Sequence, residues 1–150
     1  LYAAALRCGA HLSGAAREHT EALGRFGLKM GCAFQITDDI LDLVGEESQV
    51  GKSLGSDLAK AKMTLPLLRL MERASADQRR ALRREIGHGD AARLRDRLLP
   101  LLEEHGAVES ARETAEDLVR GARRELDGLP DAPERTLLSQ AADYVFQRDR

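Results

Sequence analysis

The chain has 150 residues, 43% hydrophobic, 32% charged and 3% aromatic, with 25 acidic residues against 23 lysines plus arginines. That is enough apolar material for a packed core and fits one soluble globular domain or a large part of one. A formal charge of -2, with basic residues spread along the length, excludes the positive excess that sequence-independent nucleic-acid binding requires, so anionic ligands must be met locally. No apolar run approaches the roughly 18 residues of a membrane span, and Leu1-Tyr2-Ala3 lacks a secretory layout, so a cytoplasmic location is expected. Cys8 and Cys32 fall outside any paired-ligand spacing and are expected to be buried thiols. The chain opens without Met in what reads as a helix under way, and is expected to be part of a longer polypeptide.

Abundant Ala, Leu, Arg and Glu at helical spacing, with almost no alternating β-branched runs, predict an all-α protein. Leu1 to about Ala16 forms a first segment. From about Thr20 a long helix carries Leu23, Phe26, Met30, Ala33, Ile36, Ile40 and Leu43 on one stripe until Gly45 stops it. Gly45, Gly51 and Gly55 then mark a polar loop of about 16 residues, a length that usually has a function. Helix resumes from Met63 to Arg73, with Pro66 tolerated in its first turn, and Ser75-Ala76-Asp77-Gln78 reads as a helix start. Asp77 to Ile86 and Asp90 to Glu104 follow, the second disturbed by Pro100. A longer helix buries Val108, Ala111, Ala115, Leu118, Val119, Ala122 and Leu126, and a last one spans about Glu134 to Gln147. No internal repeat is present.

The informative stretch is Phe34-Gln35-Ile36-Thr37-Asp38-Asp39-Ile40-Leu41-Asp42. Gln35, Asp38, Asp39 and Asp42 stand at i, i+3, i+4 and i+7 and project from roughly one face. Asp38 and Asp42 repel each other one turn apart, near a helix C-terminus whose dipole disfavours negative charge, and no lysine or arginine stands at i±3 or i±4. Two readings fit: a solvated acidic face, or carboxylates answered by an external cation. Oxygen donors without His or Cys would suit Mg²⁺, which keeps waters and shares its shell with phosphates. The loop favours the second reading. The chain holds four lysines against 19 arginines, and three of the four, Lys52, Lys60 and Lys62, fall directly after the acidic helix. Lysine, a point charge on a flexible stem, suits a diphosphate.

Other features carry less. Gly45 to Ser53 imitates a P-loop but has five residues between its glycines, where that motif needs four, and no strand precedes it. His11, His19, His88 and His105 show no ligand pairing and are expected at the surface or at helix ends. Asp90, Arg93, Arg95, Asp96 and Arg97 read as a solvated salt-bridged face, and Met30, Met63 and Met71 as core.

Gly31-x-x-Phe34-Gln35-x-x-Asp38-Asp39-x-x-Asp42, then Gly51-Lys52-x-x-Gly55-x-Asp57-Leu58, then Lys62-x-Thr64-Leu65-Pro66 resembles the trans-type polyprenyl diphosphate synthases. The aspartate block resembles the second aspartate-rich motif of that family. The resemblance implies an all-α helical bundle of the isoprenoid-synthase type, with residues 1–150 forming the C-terminal part of a single domain. It implies Mg²⁺-dependent condensation of isopentenyl diphosphate with an allylic prenyl diphosphate, by a homodimer, with no nucleic-acid partner. Carried over by position, Asp38 and Asp42 would reach Mg²⁺ directly or through water, with Asp39 in support on the substrate side. Lys52 and Lys62 would hold the allylic diphosphate and assist its departure, Phe34 and Gln35 would line the space near the reacting isoprenoid ends, and Asp57 would order the loop.

Two departures stand out. The family's earlier aspartate-rich motif is absent from these 150 residues, so the chain alone is expected to bind diphosphate weakly and turn over nothing measurable. Ala61 stands where the family commonly has Gly. The competing reading is a noncatalytic helical partner that binds and modulates a complete synthase.

Overall fold

The structure, a computed structural model, describes residues 1–45, 54–88 and 90–147. Among these the chain forms eight helices and no strand: α1 (Tyr2–Leu12), α2 (Arg17–Val44), α3 (Ser56–Ala59), α4 (Leu65–Arg73), α5 (Ala76–Glu85), α6 (Ala91–Glu104), α7 (Ala107–Glu125) and α8 (Pro133–Gln147). No described helix is long and apolar enough to cross a membrane. The helices form two compact units, one of residues 1–37 with 114–150 and one of residues 38–113.

The first unit buries Phe26, Met30 and Ala33 of α2 with Ala115, Val119 and Ala122 of α7 and Ala142 and Val145 of α8. These are the apolar stripes expected from the sequence. A second face of α2 is made of glycine. A β-carbon on Gly27 would come within 2.8 Å of the backbone of Tyr2 and Ala3, and one on Gly24 within 2.2 Å of the Arg7 side chain. Glycine inside a helix costs up to about 1 kcal/mol, and here it lets α1 lie against α2 backbone to backbone. On the outer side Glu125 Oε1 accepts from Lys29 Nζ at 2.6 Å, and Oε2 from Arg25 Nε at 2.7 Å. The Lys29 hydrogen bond, then that of Arg25, holds the Glu125 carboxyl below the usual carboxylate range.

The second unit closes around Leu43 at the end of α2, Leu58 of α3, Leu67 and Leu70 of α4, Leu82 of α5 and Leu94, Leu98 and Leu102 of α6. Ser75 and Gln78 form a reciprocal capping box: Gln78 N–H donates to Ser75 Oγ and Ser75 N–H to Gln78 Oε1. Asp90 caps α6 through the Ala92 amide. Pro100 does not interrupt α6. The leucines four apart at 94, 98 and 102 are all buried, and that packing offsets the one hydrogen bond a proline removes.

Three further expectations are corrected. Cys8 and Cys32 are exposed, on faces of α1 and α2 turned away from the core. Met63 is 41% exposed, because it precedes α4 and does not fall on its buried stripe. The loop after α2 is not wholly irregular, since it contains α3, a turn of helix too short to show periodicity.

Candidate functional site

The site residues described here belong to the second unit and are built on the last two turns of α2. Asp39 is 7% exposed, and the chain answers its charge from 23 residues away. Lys62 Nζ donates to Asp39 Oδ1 at 2.8 Å and to Asp57 Oδ2 at 3.0 Å. The Asp39 hydrogen bond raises the Lys62 ammonium above the ordinary lysine range; partial burial opposes this and Asp57 adds to it, so the side chain stays charged at neutral pH. About two-fifths of the Lys62 side chain remains open to solvent.

Asp42 is engaged differently. Its Oδ1 accepts the Ser56 amide at 3.2 Å and its Oδ2 the Asp57 amide at 3.0 Å, while its backbone carbonyl accepts the Gly55 amide at 2.9 Å. Asp38 is half-buried on the same helix. Gly55 enters α3 with φ +79°, a conformation that glycine adopts without a steric penalty. Leu58, 2% exposed, fixes α3 to the core.

The missing local counter-charges are supplied by tertiary structure. Besides Lys62, Arg95 of α6 donates Nε to the Leu43 carbonyl at 2.7 Å and Nη2 to the Gly45 carbonyl at 3.1 Å, placing a cation at the negative end of the α2 dipole. Sequence reasoning read Arg95 as a solvated surface charge. Nothing in its neighbourhood of mixed charges distinguishes it, because its partners are backbone carbonyls some fifty residues upstream.

Lys52 lies outside the described residues. Phe34 and Gln35 belong to the first unit. Phe34 packs on Tyr2 with ring centroids 5.7 Å apart and lines an open apolar cavity of about 720 Å³ with Met30, Leu137, Tyr144 and Val145. Gln35 is exposed. Among the described residues, no three His, Cys, Asp or Glu side chains converge in a metal-binding group.

Ala61, next to Lys62, adopts φ +53°, and its methyl lies where a β-carbon on Gly87 would be 2.9 Å away. The left-handed region costs a non-glycine residue about 1–2 kcal/mol, while glycine costs about 0.4–1 kcal/mol in unfolded-chain entropy. Ala61→Gly is therefore expected to stabilise the chain by about 0.5–1 kcal/mol in urea unfolding. A destabilised variant would show that the position carries no strain.

Fold and site together define an all-helical protein that presents aspartates and a tethered lysine beside one helix end. The family model for polyprenyl synthetase matches residues 1–98, and the chain belongs to that family. It is 40% identical over 149 residues to a short chain isoprenyl diphosphate synthase of Methanothermobacter thermautotrophicus, covering 99% of this chain and 46% of the relative. The crystal structure of a decaprenyl diphosphate synthase from Rhodobacter capsulatus superposes with a TM-score of 0.88 at 33% identity, over 99% of this chain and 46% of that one. A polyprenyl synthase from Caulobacter crescentus, crystallised with calcium and isoprenyl diphosphate, gives 0.84 at 32% identity, over 99% and 45%. The chain thus spans about half the length of the relatives it matches.

Proposed function

We propose that the chain supplies the C-terminal half of a Mg²⁺-dependent prenyltransferase that condenses isopentenyl diphosphate with an allylic diphosphate, as a homodimer in the cytoplasm. The observation that carries the reading is the Lys62 ammonium fixed between Asp39 and Asp57 beside the aspartate face of α2. Family membership and the Caulobacter crescentus relative, crystallised with a divalent cation and isoprenyl diphosphate, support it.

The donor set fits Mg²⁺. It offers carboxylate oxygens only, and this ion binds through one or two carboxylates plus phosphate oxygens and water, with no need of an all-protein cage. Asp38 is the carboxylate proposed to hold it, directly or through water; Asp42 adds its charge one turn away. When bound, the ion would stabilise negative charge on diphosphate oxygens. An ammonium has three donors, and two of those on Lys62 go to carboxylates. The third is left to meet the departing diphosphate with Lys62 already oriented. Asp39 and Asp57 keep the lysine charged and limit its rotamers. Lys52 is proposed to grip the same diphosphate, and Phe34 and Gln35 to line the hydrocarbon path.

Titrating the chain with pyrophosphate and Mg²⁺ is expected to shift amide resonances of Asp38–Asp42 and Asp57–Lys62, with millimolar affinity. Asp38→Ala is expected to weaken that binding about tenfold and to leave the circular dichroism spectrum unchanged. Mg²⁺-dependent binding of equal strength in the variant would remove Asp38 from the site.

A further inference from the structure

We propose that Asp42 is a positioning residue: its carboxylate anchors the α3 turn and, through Asp57, sets where the Lys62 ammonium sits. The proposal deepens the diphosphate-site reading and rests on it for its functional consequence. Its structural half stands on hydrogen bonds alone.

Three successive amides, those of Gly55, Ser56 and Asp57, all donate to residue 42. The first amides of a helix have no intrahelical partner and are normally capped by the residue before it. Here that residue is Gly55, which has no side chain to offer. Asp42 supplies the cap from across the loop, with both oxygens engaged and a full negative charge on the acceptor. A four-residue helix cannot sustain itself, so α3 depends on this cap and on buried Leu58.

What α3 delivers is Asp57. Its carboxylate accepts Lys62 Nζ and its carbonyl accepts the Lys62 amide at 2.9 Å. Asp39 and Asp42, three residues apart on α2, thus hold the same lysine by two routes, one direct and one through α3. Each Asp42 oxygen gives a lone pair to an amide of α3, which fixes the orientation of the carboxylate toward that turn.

Asparagine tests the cap apart from the charge: its one carbonyl oxygen can accept one of the two amides, its NH₂ cannot accept the other, and it carries no negative charge. Amide hydrogen exchange on the chain is expected to accelerate about tenfold at Ser56 and Asp57 in Asp42→Ala, and in Asp42→Asn to accelerate at one of the two amides while the other, still bonded to the carbonyl oxygen, changes less than about threefold. Mg²⁺-dependent pyrophosphate binding is expected to persist in Asp42→Asn and to fall about tenfold in Asp38→Asn. Unchanged protection of those amides in Asp42→Ala overturns the proposal. So does an Asp42→Asn variant that keeps one of the amides protected yet loses Mg²⁺-dependent binding as Asp38→Asn does. If Asp38→Asn binds like the parent chain, the diphosphate reading fails, and the exchange data still decide what Asp42 does.

Discussion

Lys62→Ala, introduced into the chain fused behind the N-terminal half of its Methanothermobacter thermautotrophicus relative, is expected to lower kcat for isopentenyl diphosphate incorporation by about 10²–10³-fold. That is the range typical of deleting one preorganised donor at a site of developing negative charge. Lys62 is preorganised in the required sense, since Asp39 and Asp57 fix it at 2.8 and 3.0 Å before any ligand arrives. The substitution also takes the ammonium away from Asp39, a buried carboxylate, so local stability is expected to fall with turnover. Comparing kcat with KM separates the effects: a donor that acts on the departing group lowers kcat, whereas one that only holds the ground state raises KM. A fusion with undiminished kcat in Lys62→Ala would exclude the lysine from the chemistry.

Leu98→Ala is expected to destabilise the chain by about 2–5 kcal/mol, a large part of the roughly 5–15 kcal/mol that holds an ordinary domain together. Leu98 is fully buried midway along α6, in the cluster that also receives Leu43 from α2, Leu58 from α3 and Leu70 from α4. Truncation leaves a cavity where those helices meet. Leu68, on α4 and 43% exposed, is the control, and its alanine variant is expected to stay within about 0.5 kcal/mol of the parent. Urea unfolding of both reads the difference. A loss below about 1 kcal/mol for Leu98→Ala would mean that the cluster does not organise the second unit. Because Leu58 fastens α3 to this cluster, the Leu98 variant is also expected to speed amide exchange at Ser56 and Asp57.

The helices were legible because their apolar residues recur with helical period, and the Ser75–Gln78 box and Gly45 mark their own ends chemically. The acidic face was legible for the same reason. What answers its charge was not. The Lys62 ammonium at Asp39 and the Ser56 and Asp57 amides at the Asp42 carboxylate come from 14 to 23 residues away, beyond any rule of local spacing. The carboxylates lack a lysine or arginine only along the helix, since Lys62 reaches Asp39 through tertiary packing and Arg95 meets the carbonyls at the helix end. The glycines of α2 showed nothing of their purpose, because a close helix crossing is visible only when the other helix is in place. Ala61 is a further case: it stands where the family commonly has Gly, and only the structure shows the backbone there at φ +53°.

The division into units bears on how the chain matures. Residues 38–113 are contiguous, so every partner in that unit is available once α6 and the start of α7 have been synthesised. The other unit joins residues 1–37 to residues 114–150 and must close a much longer ring, with a greater entropic penalty before its contacts form. On the ribosome, the aspartate helix end and its lysine can settle while the Phe26, Met30 and Ala33 stripe of α2 still waits for α7 and α8 to emerge.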